Sequence, residues 1–188
     1  MSSKIEQLVV ELSKDPFNPQ KNLDTALEYE RLKQTASAVS FYLRAAEYGH
    51  DSAREVVYTS LLRIAVCIES QKGREHTVSN VLLQAIAYWP DRPEAYFQYA
   101  RFHERSGNWQ ECYTMAVIGL NRPEKYFGKL EVDYPGEYGL RFEQAISAWW
   151  IGRRNESIAL LKRLRIENLS EEYRTAVEDN LRRIDATV

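Results

Sequence analysis

Glycine and proline are scarce in this chain, 8 and 6 among 188 residues. That is too few for a turn-rich β-sandwich or a low-complexity chain. Cysteine is rarer still. Cys67 and Cys112 each stand alone in a helical pattern, too few for a disulfide framework, and they read as small buried core residues. No stretch approaches the ~18 apolar residues of a membrane-spanning helix. Met1-Ser2-Ser3-Lys4-Ile5-Glu6-Gln7 has no apolar run behind its lysine, so it does not read as a signal peptide. The expectation is a cytoplasmic protein that makes no membrane contact. Neither sign of charge dominates: 25 Lys and Arg against 27 Asp and Glu give a net charge of -2. This argues against a general nucleic-acid binder, which would be strongly basic.

What is present is an ordinary globular balance, 44% hydrophobic and 28% charged, enriched in aromatics with 12 Tyr, 4 Trp and 6 Phe. The length predicts one domain, 1–188, with a sizeable core. Self-similarity organises it. Ala26, Tyr29, Ala38, Tyr42 and Ala45 are separated by steps of 3, 9, 4 and 3. The same steps recur in Ala100, His103, Cys112, Ala116 and Gly119, and again in Ala145, Ala148, Ser157, Leu161 and Leu164. Val66, Glu69, Val78, Leu82 and Ala85 form a weaker copy whose register could slip by a residue.

Steps of 3 and 4 keep residues on one helical face, and small side chains let two antiparallel helices come close. The step of 9 crosses a turn. Gln71-Lys72-Gly73, Ser106-Gly107-Asn108 and Gly152-Arg153-Arg154-Asn155 mark three such turns. Lys33-Gln34-Thr35 has no glycine and is read as a turn by analogy.

The last places of successive copies, Ala45, Ala85, Gly119 and Leu164, are 40, 34 and 45 residues apart. The long final step predicts an inserted loop at 121–137, broken by Pro123, Gly128, Pro135 and Gly136. Its Tyr126, Phe127, Leu130 and Tyr134 are expected to pack it onto the helices. Loops of this length often shape function.

Both ends read as caps, 1–15 and 170–186. Ile5, Leu8, Val9 and Leu12 form one stripe behind a capping box, Ser3-Lys4-Ile5-Glu6. Tyr173, Val177, Leu181 and Ile184 form the other, opened by Ser170 with Glu171 and Glu172 in the favourable first turn.

No phosphate loop, HExxH, CxxC or zinc-spaced Cys/His cluster appears, and no elbow holds a nucleophilic serine. His50, His76 and His103 are too dispersed to be ligands, and His103 reads as a satisfied, half-buried histidine. No metal, cofactor or catalytic residue is expected. Arg153, Arg154, Lys162, Arg163 and Arg165 read as solvated helix-end charges, with an anion or acidic-partner contact as the alternative.

Pro93-Glu94-Ala95-Tyr96-Phe97-Gln98-Tyr99-Ala100 through Gly107-Asn108-Trp109 resembles the tetratricopeptide repeat (TPR). Tyr96 matches the opening aromatic, Tyr99-Ala100 the apolar-small pair, and Cys112 the first alanine of the second helix. His103 stands where the family has Tyr, and Asn22 and Arg141 replace the opening aromatic in two other copies. The resemblance covers roughly residues 15–165. It implies an all-α, TPR-like right-handed helical solenoid of about four helix pairs, 18–165, with capping helices at both termini. Arg92-Pro93-Glu94-Ala95-Tyr96, Tyr134-Pro135-Gly136-Glu137-Tyr138-Gly139 and Phe142-Glu143-Gln144-Ala145-Ile146-Ser147-Ala148-Trp149-Trp150 further resemble TPR regions that accompany glycosyltransferases in bacterial, phage and giant-virus proteins.

In such a solenoid the first helix of each pair lines the concave side. Counting from the small residues places Leu27, Glu30, Arg63, Cys67, Phe97, Arg101, Glu104, Phe142, Ile146 and Trp149 in a groove, with Leu23 and Ser70 beside them. Aromatics beside arginine are hot-spot chemistry. Adjacent Trp149 and Trp150 point about 100° apart on a helix, so both are buried only if that helix is covered on more than one side. The resemblance thus implies a non-catalytic scaffold for a protein or peptide partner, itself open to oligomerisation. The alternatives are a structural subunit of a virus, phage or other assembly, and an accessory element of a glycosyltransferase system.

Overall fold

The computed structural model describes residues 3–122 and 128–185. All regular structure among them is helical. The helices are α1 (Ser3–Lys14), α2 (Pro19–Arg31), α3 (Thr35–Gly49), α4 (Arg54–Glu69), α5 (Glu75–Tyr88), α6 (Glu94–Arg105), α7 (Trp109–Leu120), α8 (Glu137–Trp150), α9 (Arg154–Leu164) and α10 (Glu171–Asp185). They fall into two compact units, Met1–Pro90 with Gly128–Val132, and Asp91–Phe127 with Asp133–Val188.

In the first unit α2 packs with α3 and α4 with α5, α2 also touches α4, and α1 covers α2. In the second, α6 packs with α7 and α8 with α9, α6 touches α8, and α10 covers α9. The small-residue places explain the pairing. Ala26, Ala38, Tyr42 and Ala45 are fully buried in the first unit, and Ala100, Cys112, Ala116, Ala145, Ala148, Ser157 and Leu161 in the second. At Gly119 a Cβ would lie 2.9 Å from Tyr96 Cβ and 3.0 Å from Leu140 Cδ2, so α7 approaches its neighbours more closely than alanine allows.

The turns are built alike. After α2, α6 and α8 the backbone N–H groups of Gln34, Asn108 and Arg153 donate to the carbonyls of Tyr29, His103 and Ala148 at 2.8–2.9 Å. This is the closing bond of a Schellman motif, which sets the preceding residue in the left-handed region. Those residues are Lys33 (φ 59°), Gly107 (φ 71°) and Gly152 (φ 85°). The turn inferred at Lys33 by analogy is there, held without glycine. Helix α2 opens as its sequence dictates: Asn18 Oδ1 accepts from Lys21 N at 3.1 Å and Pro19 occupies the first turn.

The weaker copy slips by two residues, not one. The turn between α4 and α5, residues 70–74, is two residues longer than the other three. Counted from the end of α4, Ile64 and Cys67 therefore take the packing places, both buried, while Val66 turns outward at 40% exposure.

The caps stand where expected, as α1 and α10. Val9 is an exception, 42% exposed, whereas Ile5 and Leu12 are buried. The capping hydroxyl of Ser3 and the loop residues Tyr126 and Phe127 lie outside the described residues. Of the inserted loop, Leu130 is buried in the first unit. In the second, Tyr134 packs edge-on to Phe97 with ring centroids 5.4 Å apart.

Candidate peptide-binding face

In the first unit the face of α2 and α4 carries a linked polar set. Arg63 Nη1 pairs with Glu30 Oε1 at 3.1 Å, and Tyr42 donates its hydroxyl to the other oxygen of Glu30. Burial and the Glu30 carboxylate both push the Tyr42 phenol far up, so it stays a donor. Arg63 Nε donates to the backbone carbonyl of Glu131 at 2.8 Å. A braced guanidinium on a first helix thus holds the main chain of an irregular segment, 128–132. Leu27 is half-buried on this face. Cys67 is not on it: the two-residue slip turns it inward to 5% exposure, and burial raises its thiol to about 11. Leu23 is buried as well.

In the second unit the expectation for Phe97 is overturned. It is 1% exposed. Residues three apart share a helical face, so the burial of Ala100 carries Phe97 inward. The inserted loop completes the cover. Tyr134 lies over Phe97, and a Cβ on Gly139 would stand 2.9 Å from Phe97 Cε2 and 2.5 Å from Pro135 Cγ.

Arg101, one residue beyond Ala100, does reach the face. Its guanidinium lies 5.7 Å from the centre of the Phe97 ring, 3.6 Å from Asp133 and 4.0 Å from Glu143. Glu143 is buried, and its carboxyl is raised to about 7. Burial is the main cause, Glu104 adds repulsion, and Arg101 and Arg105 oppose both. Glu104 is half-buried. His103 is half-buried against Tyr99, with centroids 4.5 Å apart. It is not fully satisfied, since its Nδ1 has no hydrogen-bond partner among the described residues. Burial lowers its pKa.

Phe142 meets Tyr173 of α10 edge-on at 5.3 Å, so the C-terminal cap covers part of the expected groove. Ile146 and Trp149 instead line a cleft of about 140 Å³ among α8, α9 and α10, together with Trp150, Leu161 and Ile184. Cavities of this order hold one apolar group. Ser157 also lines it, and its buried Oγ has no hydrogen-bond partner among the described residues. Arg154 sits over the Trp149 ring at 5.1 Å. Trp150 is 61% exposed and stacks on Trp109 at 5.2 Å. Both adjacent tryptophans thus border the cleft, but Trp149 is half-buried whereas Trp150 is largely in solvent. Among the described residues, two of the five basic residues are paired: Arg153 donates to Tyr113 and approaches Glu156, and Arg163 approaches Glu167.

Sequence reasoning missed Asp133, Glu143 and Tyr173 as neighbours of the face. Tyr173 was visible as part of the cap stripe, but nothing in its spacing tells that it crosses onto Phe142. Among the described residues no group of three or more His, Cys, Asp or Glu is placed to hold a metal ion, and no helix is long and apolar enough to cross a membrane.

No protein-family model matches this sequence, and no curated protein matches it. Solved structures do match the fold. MamA superposes with a TM-score of 0.65 at 14% identity, covering 85% of this chain and 84% of its own. PilW, a type IV pilus biogenesis factor, gives 0.67 at 18% over 92% and 73%. A Podosopora anserina protein with nearly identical TPR-like repeats gives 0.60 at 19% over 87% and 83%. Likeness at such identities speaks to architecture: this chain has an all-α, TPR-like fold of the helical-solenoid class.

Proposed function

We propose that the chain is a non-catalytic interaction scaffold that takes a peptide or protein segment on the face of its first helices. The contact residues are Leu27, Glu30 and Arg63 in the first unit, and Arg101, Glu104, Phe142, Ile146 and Trp149 in the second. One observation carries the reading: Arg63, braced by Glu30, donates to the main-chain carbonyl of Glu131. A first helix thus already grips a non-helical segment through a backbone carbonyl. Rigid helices present such groups with little ordering cost on binding. A cross-linking amino acid at Ile146, with a control at Leu43 on α3 (55% exposed), tests the proposal in a native extract. Capture of one protein from Ile146 and not from Leu43 is expected. Equal or absent capture at both would remove the scaffold reading. The exposed Trp150, stacked on Trp109, favours a second reading, a subunit that buries this patch in an assembly. A larger sedimenting species that Trp150→Ala dissolves would select it.

A further inference from the structure

In the second unit an exposed acid, an aromatic ring and a proline follow one another along a stretch outside the helices and meet complementary partners. The Asp133 side chain is 80% exposed, yet its carboxylate lies 3.6 Å from Arg101. Tyr134 sets its ring edge-on to Phe97. Pro135 fits against Gly139, where no Cβ could stand. Pro135 also biases Tyr134 toward an extended backbone, so the stretch needs little ordering to bind.

Among the described residues, 129–135 make no backbone–backbone hydrogen bond. Arg63 holds the Glu131 carbonyl, but a segment without a backbone hydrogen-bond ladder opens at lower free energy than the helices around it. Were Tyr134 to leave, Phe97 would be uncovered, and a replacement would have to supply an aromatic ring. Arg101 would ask for an acid beside it.

We infer that residues 133–135 are a resident copy of the ligand: this face takes an extended acidic–aromatic–proline segment, and a partner of that chemistry binds by replacing the chain's own. The inference rests on the scaffold reading and specifies its ligand. An outside segment competes with a tethered one, so its apparent affinity is reduced by the fraction of time the face stands open.

The test uses a labelled synthetic peptide of residues 131–138 and the full chain. Asp133→Lys alters an exposed residue and weakens the resident contact. It is expected to tighten binding of the peptide by about tenfold over the native chain, through the open fraction. Asn at the peptide's Asp position should weaken binding to Asp133→Lys, and should cost nothing when Arg101→Met is added. Should Arg101→Met fail to melt cooperatively, Asn at the Asp position and Ala at the Tyr position of the peptide test the same contacts from the other side. Equal binding by the native and Asp133→Lys chains, no binding to either, or indifference to both peptide substitutions would overturn the inference. Such a result beside a partner captured at Ile146 would leave the scaffold reading standing.

Discussion

Phe97 and Ala100 lie one turn apart on α6 and share a buried face. Phe97→Ala should therefore destabilise the fold by about 3–5 kcal/mol, the cost of emptying a core aromatic site, as denaturant unfolding would show. Trp150→Ala should cost under about 1.5 kcal/mol, since the ring is 61% exposed and has chiefly its stack on Trp109 to lose. Glu143 gives a pH signature. Its carboxyl is raised from 4.5 to about 7. Between those values the folded chain keeps a proton that the unfolded chain has released. Its stabilising contribution is thus complete below about pH 4.5 and is lost as pH rises to about 7. Glu143→Gln preserves the protonated shape. Its melting temperature should match the native chain's near pH 4.5 and exceed it above about pH 7; equal melting at both would refute this.

Three of the four turns within helix pairs share one geometry, and the residue in the left-handed position is Lys33 in one and glycine in two. A side chain costs about 1–2 kcal/mol there, while glycine gives back about 0.4–1 kcal/mol through the unfolded chain. Lys33→Gly should therefore stabilise by about 0.5–1 kcal/mol, seen as a higher denaturant midpoint at unchanged slope. Gly139→Ala should act oppositely. Its Cβ would meet Pro135 and Phe97 at 2.5 and 2.9 Å and displace the inserted segment from α8, at about 1–3 kcal/mol by overpacking. Helix existence and pairing at this scale are legible in the 3-9-4-3 spacing. The slip of α4 is not, because the spacing fixes which residues share a face only if the turn length is known. The two extra residues at 70–74 exchange the roles of Val66 and Cys67.

At the scale of the molecule each unit completes its own core with chain from far along the sequence. The first draws Leu130, 8% exposed, from beyond the α6–α7 pair. Leu130→Ala should cost about 2–5 kcal/mol and reduce amide-exchange protection in α4. The second closes over Ala145, Leu161 and Leu164 with Val177, Leu181 and Ile184 of α10.

The sequence by itself determined the helices, their pairing through small residues, the left-handed turns and the two terminal caps. All of these are local, fixed by neighbours within a turn or two along the chain. It also placed Arg101, Ile146 and Trp149 on partly open positions, because a residue one step past a packing place is rotated off the buried face. Only the tertiary structure decided what covers that face. Tyr134 closes over Phe97, Tyr173 meets Phe142, and Arg63 and Arg101 hold residues of the inserted loop. These partners are separated by tens of residues, and helical periodicity carries no information about where an irregular loop comes to rest.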